Sequence, residues 1–215
     1  MNKIVKTGYL AVLAILGAIT INAHAQTTPG RAMVRGLLGS VSAMTPEGQP
    51  IPLKGGSILG PGTTIRTGPR SAVDLFLGKT AGTIRLIENT TLVIKQFQLS
   101  DSGGQTIVEA EFELNEGTLL GKDSKITTAT SHFEIKVPSG IAGISSGEYR
   151  ISTKSYIVLL EGALSYVHVN PTGDMSPYNM KAPPAVYFSP VEGVRPAPTE
   201  LVREVGLQFK SKLPK

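Results

Sequence analysis

Between residues 36 and 95 the chain keeps returning to one local pattern, a Gly-bearing turn and then a short alternating strand. Gly36 to Val41 opens it. Leu53-Lys54-Gly55-Gly56-Ser57-Ile58 follows, then Gly62-Thr63-Thr64-Ile65-Arg66-Thr67-Gly68. Ser71-Ala72-Val73-Asp74-Leu75-Phe76-Leu77 and Gly82-Thr83-Ile84-Arg85-Leu86 continue the series. Turn chemistry about every 8–12 residues between period-2 strands predicts an all-β domain.

The alternation also assigns faces. Val73, Leu75 and Leu77 fall on one side of a strand and Asp74 on the other. Ile84 with Leu86, and Leu92 with Ile94, repeat the arrangement. In Ile107 to Leu114 the residues Val108, Ala110, Phe112 and Leu114 oppose Glu109, Glu111 and Glu113. Strand signals dominate from Ala32 to about Val169, and Ser100-Asp101-Ser102-Gly103-Gly104 reads as a hairpin loop.

Residues 1–25 read as a secretory signal peptide. Lys3 and Lys6 form its positive end, Tyr9 to Ile21 its apolar stretch, and Ala23-His24-Ala25 a small-x-small cleavage site before Gln26. The other reading is an uncleaved anchor, but the apolar run is shorter than the roughly 20 residues a spanning helix needs. No Cys follows it, so a diacylated lipoprotein is excluded. Taking 25 residues from 215 leaves 190, enough for one core-forming domain. Losing Lys3 and Lys6 takes the formal charge from +5 to +3, too little to argue for nucleic acid. With no Cys anywhere, disulfides, thiolate metal sites and Cys nucleophiles are ruled out.

From Asn170 the composition changes. Pro171, Pro177, Pro183, Pro184, Pro190, Pro196 and Pro198 lack the ladder donor, which predicts loop, or an edge strand at Ala185 to Phe188. Thr199 is the expected cap of a short helix through about Phe209, with Leu201, Val205 and Gln208-Phe209 along one side. Lys210 to Lys215 reads as a frayed basic end. The expected organisation is a signal peptide over 1–25, a β domain over 26–169, and a Pro-rich tail with a short helix over 170–215.

A weak internal repeat links Leu53-x-x-Gly56-x-Ile58, Leu114-x-x-Gly117-x-Leu119 and Leu159-x-x-Gly162-x-Leu164. Each Gly suits a left-handed or tight backbone. The spacing is not constant, so this is no fixed-period array. Gly turns of any β protein would account for it, and so would a coiled, solenoid-like β structure with Gly at its corners.

Candidate chemistry is sparse. Gly143-Ile144-Ser145-Ser146-Gly147 fits Gly-x-Ser-x-Gly, a nucleophile elbow, which requires a strand-turn-helix and an acid before a later His. His168 lies downstream, but between it and Ser145 the acids are Glu148 and Glu161, and a strand follows the motif. A Gly-Ser turn in a β domain accounts for the same residues. Glu109, Glu111 and Glu113 could face a cation together, or form a solvated face with Lys and Arg opposite. His132 and His168 are too far apart in sequence to form a helical metal pair. The expected set of catalytic, cofactor and metal residues is therefore empty. There is no Trp, and Tyr166, Tyr178, Tyr187 and Phe188 are scattered, which weakens a stacking role.

The ordered motifs resemble the FecR domain family. Its first block corresponds to Gly39-x-Val41, Leu53-x-x-Gly56, Gly62-x-x-Ile65-x-Thr67-Gly68 and Ser71-x-Val73-x-Leu75. Its second block is similar to Val137 through Ile151, where Pro138, Gly140 and Ala142 match and Ser145-Ser146-Gly147 replaces the family's Arg-Gly-Thr. Its closing motif resembles Val158-Leu159-Leu160-Glu161-Gly162-Ala163-Leu164. The likeness covers about residues 34–169. It implies a FecR-like coiled β domain in a bacterial cell envelope, here with a signal peptide where the family's sensors carry a cytoplasmic anti-sigma arm.

These readings converge on a non-enzymatic exported scaffold or interaction module, periplasmic or secreted, with no cofactor. Its expected partner is an envelope protein or a cell-wall polymer, met in part by strand addition at a sheet edge. Nucleic acid, and membrane insertion after signal cleavage, are not expected. The alternative is a soluble periplasmic component of a signalling system, and the remote one a serine hydrolase acting through Ser145.

Overall fold

The structure, a computed structural model, describes residues 27–102, 104–123, 126 and 130–214. The expected signal segment lies outside them. Within the described residues the chain is all-β with one short C-terminal helix, and its strands form a single curled sheet. No described helix is long and apolar enough to cross a membrane.

The opening series gives short strands: β1 (Thr27–Pro29), β2 (Ala32–Leu38), β3 (Val41–Met44), β4 (Pro50–Ile51), β5 (Ile58–Leu59), β6 (Thr64–Thr67), β7 (Ala72–Gly78) and β8 (Gly82–Leu86). Longer ones follow: β9 (Thr91–Ser102), β10 (Gln105–Glu116), β11 (Thr118–Asp123), β12 (His132–Val137), β13 (Gly140–Ser152) and β14 (Tyr156–Val169). The chain ends with β15 (Met175–Ala182), β16 (Val186–Ser189), β17 (Gly193–Pro196) and α1 (Thr199–Lys210).

The pairings run β1–β9–β10–β12–β13, with the β10–β12 step parallel. β13 also pairs β11, which continues through β8 and β7 to β2. β6 joins β9 to β3. The expected faces hold. Val73, Leu75, Leu77, Ile84, Leu86, Leu92, Ile94, Val108, Phe112 and Leu114 are all at most 1% exposed, and Ala110 is buried with them. Phe97, Phe112 and Phe133 stack through this core at centroid distances of 6.2 and 5.5 Å.

The β13–β14 hairpin is folded in two. Its first half pairs Gly140–Ile144 with Leu164–His168, and its second pairs Tyr149–Ser152 with Tyr156–Leu159. Thirteen residues of straight strand would separate the ends by roughly 40 Å. Yet Ser139, before β13, and Ser155, after it, bring their hydroxyls to 2.6 Å. Phe188 pairs with Ile157 in the second half, and its ring packs on Tyr166 and His168 of the other half and on Tyr178 of β15, at 5.0, 5.4 and 4.8 Å.

The fold line is Gly147 opposite Gly162. Both have positive φ, +116° and +96°, a region that only Gly enters freely. A Cβ on Gly147 would land on the Glu161 carbonyl, and one on Gly162 on the Ser146 carbonyl. Register shifts bracket the pair, one between Ile144 and Ser146 and one between Glu148 and Tyr149. They leave Ser145 and Leu160 as bulge residues, which bend a strand and raise its twist. So Ser145-Ser146-Gly147 is a mid-strand hinge, not the turn expected from sequence.

Other expectations are corrected. Ser100 to Ser102 belong to β9, so the hairpin connection is shorter than the loop predicted. The strand expected at Ala185 to Phe188 is present as β16, though paired on both sides, while the expected loop is sheet: β15 and β16 pair with β14, and β17 pairs with β16. Met180, Ala182 and Phe188 bury in the main core. Proline is tolerated because β15 is an edge strand. The residue capping α1 is Pro198, with no side-chain cap bond, and Thr199 is already helical. Val205, Leu201 and Phe209 do share one side, against Leu120, Val158 and Tyr187 on the outer face of the sheet.

The basic end is held, not frayed. Arg85 Nη1 donates to the Gln208 and Ser211 carbonyls, each at 2.7 Å, while Nε and Nη2 donate to Asp74 at 2.6 and 2.8 Å. Leu37 N–H donates to the Pro214 carbonyl at 3.0 Å.

Candidate functional site

Ser145 is exposed at the bulge of β13, inside an antiparallel hairpin with no helix after it. Its neighbour Ile144 pairs with Leu164, four residues short of His168 along one straight half of β14. That spacing is about 13 Å, far beyond the reach of a base on a nucleophile. The motif supplies curvature, and the structure does not bring Ser145 and His168 together.

The three glutamates do share a face, and each has a partner. Glu111 accepts from Lys136 Nζ at 2.8 Å, Glu113 lies 3.6 Å from Lys95, and Glu109 accepts from Gln96 at 3.3 Å. The hydrogen bond to Glu111 holds the Lys136 ammonium above its usual pKa. His132 lies opposite Glu109 across the parallel β10–β12 pair, bordering this ladder. Among the described residues no three His, Asp or Glu side chains converge in a way that could hold a metal ion. The face is a solvated ladder of opposite charges.

Two buried polar groups gave no sequence signal. Asp123, across from Gly147 in the β11–β13 register, is 9% exposed. It accepts a short hydrogen bond from Tyr149, and its Oδ1 has no partner. Burial pushes its pKa up to about 7, against the lowering effect of the Tyr149 bond. Burial and the nearby Asp123 carboxyl hold Tyr149 well above its usual range. Gly121 makes room for the Tyr149 ring and Gly82 for the Asp123 carboxyl.

The second group is a hydroxyl chain at the closed end of the folded hairpin. Ser155 donates to Ser139 Oγ, Tyr166 lies 3.1 Å from Ser139 Oγ and donates to the Ser139 carbonyl at 3.0 Å, and His168 Nδ1 is 3.4 Å from Tyr166. Burial raises the Tyr166 pKa, so it stays a phenol and a donor. With Phe188 stacked over it, this chain is a latch between the two halves. Only the positive φ of Ser155, +63°, marks it as a constrained position.

Two surfaces stand out as places for a partner. Among the described residues β15 forms its backbone ladder with β14 alone. Met175, Ser176, Pro177, Asn179 and Lys181 are exposed on it, and Tyr178, Met180 and Ala182 turn inward. The second surface is formed where the β8–β9, β10–β11 and β13–β14 turns come together. Thr153 N–H donates to the Gly117 carbonyl at 3.0 Å, and the nearly buried Thr90 links Glu88 to Thr118.

Compared with protein-family models, with curated proteins and with solved structures, the chain matches none.

Proposed function

We propose that this protein is an exported, non-enzymatic interaction module of the bacterial cell envelope, built on a FecR-like domain. It engages an envelope protein by accepting an extended segment along β15. The observation that carries the reading is the edge of β15, an eight-residue strand whose backbone ladder runs to β14 alone among the described residues. Such an edge offers a row of backbone donors and acceptors to a partner strand. Pro177 withholds one donor and Lys181 adds a charge, features that restrain indiscriminate edge-to-edge pairing. The FecR-like reading is supported by the backbone at the motif glycines. Gly39, Gly56, Gly62, Gly140 and Gly162 have positive φ and Gly68 does not, so most of the ordered motif falls where the fold needs glycine.

The test uses the full chain in a bacterial host. The mature protein should appear in the periplasm or medium with Gln26 at its N-terminus. A photoreactive side chain at Asn179 should crosslink to an envelope protein, with the attachment point in an extended segment of that partner. The same group at Ser145 should give no such adduct. An intact Met1 chain in the inner membrane would overturn the export reading. Equal crosslinking from Ser145 and Asn179 would overturn the role of β15.

A further inference from the structure

A cleft of about 500 Å³ opens at the turn surface, lined by Glu88, Asn89, Glu116, Arg150, Lys154 and Tyr156 among others. Two buried threonines tie its rim together. Thr67 and Thr90, 6% and 1% exposed, spend their hydroxyls on turn backbone: Thr90 N–H donates to Thr67 Oγ1 at 3.0 Å, and Thr118 N–H to Thr90 Oγ1 at 3.1 Å. Among the described residues the only non-glycine positions with positive φ are Arg70, Asn89 and Ser155. Asn89 lines the cleft, Ser155 follows Lys154, and Arg70 N–H donates to Glu88 at 2.8 Å. Backbone held in such conformations is backbone that the surrounding structure has fixed in advance.

The lining is balanced in charge. Two carboxylates, Glu88 and Glu116, line it together with two cations, Arg150 and Lys154, the former paired with Glu204, so neither a polyanion nor a polycation meets a surface of one sign. What the cleft offers is donors and acceptors together, with the Asn89 amide among them. Tyr156, 48% exposed, adds an aromatic face at the edge. Arg150 is oriented from behind: its Nη1 donates to Glu204 of α1 at 2.9 Å, and its Nε is shielded from solvent with no hydrogen-bond partner. A ligand rich in hydroxyls, each both donor and acceptor, with an apolar ring face, uses all of these features.

We propose that this cleft binds a neutral oligosaccharide, with Tyr156 stacking on a sugar ring and Glu116, Asn89 and Arg150 bonding its hydroxyls. The site shares no residue with the β15 edge, and its fate does not depend on that reading. Calorimetric titration of the full chain with uncharged tetrasaccharides of glucose, mannose and N-acetylglucosamine tests it. At least one should bind, with heparin and an acidic peptide binding no better. Tyr156→Ala should weaken that binding about tenfold, the scale of one lost stacking contact, with the thermal midpoint unchanged. Glu116→Gln should weaken it less and leave folding intact. Binding by none of the three sugars, equal affinity in Tyr156→Ala, or preference for heparin or the peptide would each overturn the proposal.

Discussion

The two long hairpins of this protein reach the same end by different means. β9 and β10 contain no glycine, and they bend at register shifts near Lys95 and Asn115 while their inward positions carry apolar side chains, all of them large but Ala110. β13 and β14 fold back sharply, at a point where two facing glycines leave no room for a side chain. The first hairpin is shaped by packing and keeps its carboxylates in water, as the Glu109-Glu111-Glu113 ladder. The second is shaped by backbone freedom, and the sheet behind its hinge encloses a carboxyl, Asp123. A gentle bend tolerates side chains on both faces, whereas a fold of this sharpness brings backbone against backbone and excludes them.

The comparison breaks first at Gly147. Gly147→Val is expected to cost upward of about 4 kcal/mol in urea unfolding, since it combines a disfavoured φ with a clash against the Glu161 carbonyl. A loss below about 1 kcal/mol would mean that the hinge is not where the bend is made. In the other hairpin the sensitive group is a side chain. Phe112→Ala should cost about 3 kcal/mol through the cavity left between Phe97 and Phe133.

Asp123 makes the contrast one of pH. Its folded pKa of about 7 lies above the ordinary 3.8. Its contribution to stability is therefore fully present below about pH 4 and is lost as pH rises toward 7, by at most about 4 kcal/mol. Asp123→Asn should flatten that part of the stability profile. Identical profiles for wild type and Asp123→Asn between pH 4 and 7 would contradict the buried-carboxyl account.

Smaller effects sharpen the outer layer. Asp74 was placed by alternation on the solvent side, which predicts a silent Asp74→Asn. The structure changes that expectation: Asp74 orients Arg85, a largely buried guanidinium that holds the end of α1. The substitution should cost about 2 kcal/mol and raise hydrogen exchange at Leu37, whose amide the following segment covers. Ser145→Ala, at an exposed bulge, should stay within about 0.5 kcal/mol of wild type.

What the sequence made legible was local. Alternation placed Val73, Leu75, Leu77 and the Val108-to-Leu114 face correctly because a strand's period of two needs no knowledge of its partner. The repeat motif found three glycines, Gly56, Gly117 and Gly162, that all have positive φ. It could not say that Gly162 faces Gly147, because that depends on a register set across the hairpin. In the Pro-rich segment the strand near Val186 is legible, but β15 is not, since prolines speak against central strands while an edge strand accepts them. The latch of Ser139, Ser155 and Tyr166 and the Arg85 clamp join residues far apart in the chain, and no short pattern announces them. Tyr156 carries no motif of its own, and its place at the cleft edge emerges only from the assembled turns.

The most direct test of the folded hairpin uses the absence of cysteine from the chain. Ser139→Cys and Ser155→Cys, introduced together, place two thiols where hydroxyls now meet at 2.6 Å. Air oxidation of the folded double variant should give an intramolecular disulfide, the two electrons passing to oxygen, read by mass spectrometry as the loss of two hydrogen atoms and of both maleimide-reactive thiols. A hairpin that runs straight would hold these positions roughly 40 Å apart. Two free thiols in the folded, oxidised protein would contradict the fold-back at Gly147 and Gly162.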